Sequence, residues 1–402
     1  MTPAEAIYGQ ELQPNFLSWL NSMGLAFDPF AILDAGADPN IPAYLVDHTA
    51  FAQLWGDWPT FVFAPAGGGK TAFRARLTRA CRIGEDGRRV FPIVYHRLPY
   101  PDQVDDGAYG QDIHLKNILR QAAQELLFLF AYRPRDLNAL DEVTIATLRR
   151  ILDENLPSPL QNYLTRLLDA GDLSPLAQEF DRTASYLLNP PGSQDLARFC
   201  ERLVHVPVYP VSAHSHMERF KELIYFLRKT LHFEAIYLLV DGVDAYPETA
   251  ADSNTAVSLL RWILDRTPEW MTKQVFVKFF LPIDLESVVS KLQPRLLTEI
   301  AKGSIILWSE DDLVQVIRTR LSFASGGMFD SLDMMSDPGL RSAEKELARW
   351  VHPAVPREVL VLTERLLIEH VQRSGKRGKL EPEDLDAAHN WYARQVATAH
   401  ST

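Results

Sequence analysis

Cysteine is scarce: Cys81 and Cys200 are the only two in 402 residues. Neither lies in a cluster with metal-ligand spacing, so a zinc framework or a disulfide-stapled scaffold is excluded and a reduced, cytoplasmic protein is expected. The chain also lacks an apolar run near the roughly 20 residues a membrane helix needs, so no membrane association is expected. The N-terminal Met1-Thr2-Pro3-Ala4-Glu5 has neither a basic start nor an apolar core, and no secretion signal is expected from it. Positive charge is not in excess: 41 Lys and Arg stand against 52 Asp and Glu, a net charge of −11. That argues against sequence-independent nucleic-acid binding over the whole surface and leaves open only a local basic patch. Internal repeats and low-complexity tracts are missing too. What remains is an ordinary globular composition, 47% hydrophobic and 23% charged, long enough for two or three domains with a large core.

Against that background one stretch stands out. Phe61-Val62-Phe63 reads as a buried strand, Ala64-Pro65-Ala66-Gly67-Gly68-Gly69 as a glycine loop, and Thr71 to Arg82 as a helix, with Lys70 and Thr71 at the junction. Strand, glycine loop, Lys-Thr and helix form the context of a phosphate-binding P-loop. Glycines let backbone N–H groups close around phosphate oxygens, and the helix aims its N-terminal dipole at the same anion. Lys70 is expected to reach the β- and γ-phosphates and the Thr71 hydroxyl to coordinate Mg²⁺. The nucleotide-binding set is therefore Ala64, Pro65, Ala66, Gly67, Gly68, Gly69, Lys70, Thr71 and Ala72. Ala64 occupies the place of the first glycine of G-x-x-x-x-G-K-[ST], which it fills only if the backbone there keeps an ordinary conformation.

A second motif lies far downstream. Ala235 to Val240 is wholly apolar and ends in Asp241-Gly242-Val243-Asp244, as expected of a central parallel strand with a carboxylate at its C-terminal end. Asp241 would hold Mg²⁺, and Asp244 would orient or deprotonate an attacking water. Val90 to Tyr95, with Pro92 marking an edge, Val275 to Pro282, and Ser304 to Trp308 complete five expected strands. Arg74, Arg76, Arg79 and Arg82 are expected on exposed faces of the helix after the glycine loop.

The remaining segments read as helices. Residues 1–60 are a lead-in with a short helix over Leu12 to Met23 and another ending near Trp55. Residues 98–234 are a largely helical insertion, with Asp112 to Tyr132, Asp141 to Glu154, Leu160 to Leu168 and Gln194 to Val204 punctuated by prolines, followed by Ser215 to His232. Leu285 to Ala301 is helical, and after Asp311 to Phe323 and a loop over 324–340 come Arg341 to Val351, Pro356 to Gln372 and Glu381 to Thr398. Ser374 to Lys379 is a basic turn. The domain division is thus 1–60, a P-loop core over 61–310, and a C-terminal helical lid over 311–402.

These motifs resemble the AAA+/STAND branch of P-loop NTPases. The Asp-Gly-Val-Asp strand end is similar to that of the STAND class, and the helices after the fifth strand are similar to the lid of origin-recognition-type AAA+ proteins. The resemblance covers about residues 40–398 apart from the insertion. It implies an α/β fold with a five-stranded parallel sheet, ATP rather than GTP, and catalytic roles for Lys70 and Asp244. It further implies Asp284 in the sensor-1 place, Arg357 of Pro356-Arg357 in the sensor-2 place, and Arg295 as an arginine finger. The chain departs from the pattern at Ala64, at Ala245 where STAND proteins often carry Glu, and at Asp284 where Asn is more usual. The function so implied is a signalling or defence switch that hydrolyses ATP, with a homo-oligomer or a separate effector or sensor protein as partner. Two alternatives are a DNA-associated AAA+ ATPase and a nucleotide-stabilised scaffold with little turnover; a small-molecule kinase fits least.

Overall fold

Four apolar runs become strands buried almost along their whole length in the computed structural model of the chain: β1 (Thr60–Ala64), β2 (Val90–Tyr95), β3 (Ala235–Val240) and β4 (Val275–Pro282). A fifth, β5 (Lys302–Ile305), is mostly exposed. All five are parallel, in the order β2-β3-β4-β1-β5. Continuous hydrophobic runs are what a parallel sheet covered on both faces demands. Pro92 sits in the edge strand β2, where it pairs with Tyr237 on one side only.

The structure describes residues 14–100, 108–180, 190–207, 214–375 and 377–399. They fall into two compact units. The first draws on Met1–Thr49, Ala64–Ala72 and Ile306–Thr402, and the second on Ala50–Phe63 and Phe73–Ile305. Leu12 and Gln13 of the first expected helix and Lys376 of the basic turn lie outside the described residues.

α1 (Pro14–Ser22) belongs to the first unit. The second unit opens with the short α2 (Phe51–Leu54). The helix after the glycine loop, α3, runs Lys70–Ile83. The insertion supplies α4 (Ala108–Tyr132), α5 (Pro134–Asn138), α6 (Glu142–Asn155), α7 (Leu160–Ala170), α8 (Ser174–Glu179) and α9 (Ser193–Val204). Prolines open two of these helices, Pro134 and Pro175 in first turns, because proline there forfeits no hydrogen bond. Asp141 caps α6 by accepting from the Thr144 N–H at 2.7 Å. Leu126, Leu152, Leu164 and Phe199 of these helices join one apolar core with Phe61 and Phe279 of the sheet. α10 (His216–Tyr225) begins at a Ser215/Glu218 capping box and unwinds into a wide π-type turn, Phe226–Thr230, before β3.

Three findings differ from the sequence expectations. Between β3 and β4 lie α11 (Pro247–Ala251) and the 19-residue α12 (Ser253–Met271), a stretch left unassigned above. Leu285 to Ala301 is not one helix: α13 covers Leu285–Leu292, and Pro294 separates it from a π-type turn over Leu296–Ile300. The fifth strand is Lys302–Ile305 rather than Ser304 to Trp308. Leu307 is 73% exposed, and Trp308 is drawn into the first unit by a hydrogen bond described below.

The first unit is completed by α14 (Glu310–Ala324), α15 (Ala343–Trp350), α16 (Pro356–Ser374) and α17 (Pro382–Ala399). Phe16, Trp19 and Leu20 of α1 share its core with Leu313, Ile317, Leu347, Val359 and Leu366. α16 and α17 are locked together where Asp384 accepts from Arg373 Nε (2.6 Å) and pairs with His370 Nδ1 (2.8 Å).

Candidate functional site

β1 ends at Ala64, the loop follows, and α3 begins at Lys70. Gly67 and Gly69 adopt φ of +74° and +91°, where a side chain is strained. The Gly68 N–H donates to the Pro65 carbonyl at 3.0 Å, which curls the loop. Ala64 is not among the residues with positive φ; it is the buried last residue of β1, and its Cβ is accommodated there. The buried Lys70 Nζ donates back to the Ala64 carbonyl at 3.5 Å, so the lysine folds over the loop that precedes it. Thr71 and Ala72 follow in the first turn of α3.

The C-terminal part of the first unit touches this loop twice. The Trp308 indole N–H donates to the Gly68 carbonyl at 3.0 Å, and the Trp308 ring lies 5.0 Å from that of His48. The Arg357 backbone N–H donates to the Gly67 carbonyl at 3.3 Å. A Cβ added to Gly67 would come within 2.8 Å of Arg357 Cβ, so the start of α16 docks on the loop at a position only glycine can fill. Pro356 fixes the backbone for that start.

In the second unit, Asp241 follows β3 and is 4% exposed. Its Oδ1 accepts the Gly242 N–H at 2.8 Å, and its Oδ2 accepts Arg74 Nε at 2.8 Å. Gly242 has φ +76°, and a Cβ there would lie 2.9 Å from the His96 carbonyl oxygen, so the residue after Asp241 must be glycine. The Ala245 N–H closes the turn on the Gly242 carbonyl at 3.2 Å, which sets Asp244 half-buried inside it. Asp284, just beyond β4, is exposed at the start of α13, and Arg295 is exposed after the Pro294 break.

The arginines of α3 correct one expectation. Arg74 and Arg82 are buried, not exposed. Every residue of α3 before Ile83 is buried or half-buried, and each of the two meets a carboxylate: Arg74 finds Asp241, and Arg82 forks onto Glu125 through Nε (2.8 Å) and Nη2 (2.6 Å). Arg76 is half-buried, clasped by Glu85 at 2.5 and 2.8 Å. Arg74 and Trp308 are the two contacts of the site that motif reading passed over. Arg74 follows Lys70 by one helical turn, a spacing that marks a shared face, whereas nothing in the run Ile305–Trp308 distinguishes a strand residue from one that leaves the sheet.

The donor chemistry suits magnesium. A threonine hydroxyl and a carboxylate are hard oxygen donors, and Mg²⁺ takes one or two carboxylates and keeps several waters. Among the described residues there is no group of three or more His, Cys, Asp or Glu side chains placed to hold a metal by themselves. Asp241 would serve such an ion only in competition with the guanidinium that already pairs with it. No helix among the described residues is long and apolar enough to cross a membrane. No protein-family model matches the sequence, and no curated protein sequence matches it.

Proposed function

We propose that the chain is a nucleotide-dependent switch of the P-loop type, which binds ATP with Mg²⁺ and hydrolyses it to ADP and phosphate. The observation that carries this reading is the β1–loop–α3 geometry: glycines at positive φ, Lys70 folded over them, and the start of α16 seated on Gly67. A loop so shaped presents backbone N–H groups and a helix N-terminus to an anion.

Lys70 and the loop amides neutralise the phosphates; Thr71 and Asp241 would hold the metal ion, which would supply charge shielding for the phosphates. Asp244 takes a proton from water as the water oxygen bonds to the γ-phosphorus. The bond from that phosphorus to the β–γ bridging oxygen breaks, and ADP leaves with the electron pair. Arg357, whose backbone touches the loop, couples the γ-phosphate to the position of the helical lid, a two-state element biased by ligand. Asp284 lies just past the end of β4, the strand that stands between β1 and β3 in the sheet, and is read as the phosphate sensor. The exposure of Arg295 supports a role toward a second copy of the chain.

A second reading, a nucleotide-stabilised scaffold with little turnover, is favoured by the Arg74–Asp241 ion pair, which occupies the expected metal ligand. One experiment separates the two. Nucleotide released on denaturation is identified, and phosphate release is then assayed for the wild type, Lys70→Ala and Asp244→Asn. The switch reading expects bound ADP or ATP, at least about 100-fold weaker binding in Lys70→Ala, and turnover abolished in Asp244→Asn with binding retained. Bound nucleotide without turnover supports the scaffold; no binding at all removes both.

A further inference from the structure

Resting on that reading, one contact carries further. We propose that Arg74 is a resident cation at Asp241 that competes with a divalent metal, so that the chain binds nucleotide with little dependence on Mg²⁺ and loads metal only when Arg74 releases the carboxylate. Arg74 is thereby a positioning residue for the metal ligand.

Arg74 Nε lies 2.8 Å from Asp241 Oδ2, and both side chains are 6% exposed. A charge-assisted bond at that burial is screened little by salt. The other carboxylate oxygen is engaged by the Gly242 N–H at 2.8 Å. A divalent ion reaching this carboxylate meets a like charge on the same group, so the two cations exclude one another. The hold is nevertheless a loose one for arginine. The two arginines of α3, eight residues apart, grip differently: Arg82 donates to Glu125 through two nitrogens, whereas Arg74 meets Asp241 through Nε alone. The first is built as a clamp and the second as a contact that can be exchanged. Arg74 also follows the loop lysine by one turn of the same helix, so a shift in the first turn of α3 reaches both residues.

The test measures the affinity of a fluorescent ATP analogue for the purified chain in EDTA and in millimolar Mg²⁺, for the wild type and Arg74→Gln. The wild type is expected to change its Kd by less than about threefold between the two buffers, and Arg74→Gln to bind about tenfold more tightly with Mg²⁺ than without it. If Arg74→Gln does not fold by circular dichroism, Arg74→Lys is read the same way, with at least about threefold more metal sensitivity than the wild type. A wild type that needs Mg²⁺ as strongly as the variant that folds overturns the inference and leaves nucleotide binding standing. Failure of every form to bind in both buffers overturns the nucleotide reading, and this inference with it.

Discussion

Two buried cations of the second unit, Lys278 in β4 and Arg74 in α3, are satisfied in opposite ways. Lys278 is fully buried; its Nζ donates to the Gly56 carbonyl (2.9 Å), the Trp58 carbonyl (2.7 Å) and Thr60 Oγ1 (3.2 Å), and faces the Tyr237 ring at 4.5 Å. Every one of these partners is neutral, and burial holds its pKa well below the usual lysine range. Arg74 is held by a carboxylate. The neutral acceptors of Lys278 lie in Gly56–Thr60, the segment that leads into and opens β1, and none of them has a role in the proposed mechanism, so the lysine is a pin. Asp241 has a second use in the proposed mechanism, and under that proposal its arginine is exchangeable. Burial of a charge does not tell structure from function; the alternative occupation of its partner does.

The largest effect on stability is expected from the pin. Lys278→Met keeps the apolar stem and strips three acceptors of their donor, which should lower the unfolding free energy by about 3 kcal/mol. Urea unfolding with an unchanged slope measures it, and nucleotide affinity per folded molecule should stay as in the wild type. An unchanged midpoint would mean that Lys278 is no pin and would erase the contrast with Arg74.

A smaller effect comes from buried charge of the other sign, in the first unit. Burial pushes the Asp28 carboxyl up to about 6 and the Glu364 carboxyl up to about 8; the neighbouring Asp28 adds to the rise of Glu364, while the Phe30 and Ala31 N–H groups, Arg320 and the hydrogen bond with Glu364 draw Asp28 down. The folded state therefore keeps protons that the unfolded chain has released. Stability is full below the unfolded carboxyl range near 4 and is lost as pH rises through about 6 to 8. The melting temperature should fall by a few degrees between pH 5 and pH 8.5, and Glu364→Gln should flatten most of that slope. A slope equally steep in Glu364→Gln would place the titrating group elsewhere.

The smallest effect is expected where charges pair in water. Glu269 meets Arg266 at 3.0 Å and Lys273 at 2.5 Å, with all three side chains well exposed. Glu269→Gln should cost less than about 0.5 kcal/mol, and less still at high salt. A loss comparable with that of Lys278→Met would show that partner chemistry, not burial, sets the scale.

Much of the second unit was legible because its signals are local. Val90–Tyr95 and Val275–Pro282 are apolar runs of strand length, and Gly242 is a glycine at a turn that needs positive φ. α12 was not legible: Pro268 lies inside it, and its start, Asp252-Ser253-Asn254-Thr255, reads as a turn. In the structure that same Asp252 caps the helix, accepting from the Asn254 and Thr255 N–H groups. The burial of Arg74 and Arg82 was hidden for a similar reason. Their charge argues for solvent unless a carboxylate is known to wait on another element.

The sequence by itself determined four of the five strand runs, one of them ending in Asp-Gly-Val-Asp, and the glycine loop with its Lys-Thr, because backbone sterics and hydrophobic period act over a few residues. Only the tertiary structure decided that Trp308 leaves the sheet for the Gly68 carbonyl, that Arg357 rests on Gly67, and that Asp241 is held by an arginine 167 residues away. Those contacts depend on which buried polar groups meet once the chain is folded, and the need to satisfy each of them is a condition on the whole fold rather than on any stretch of it.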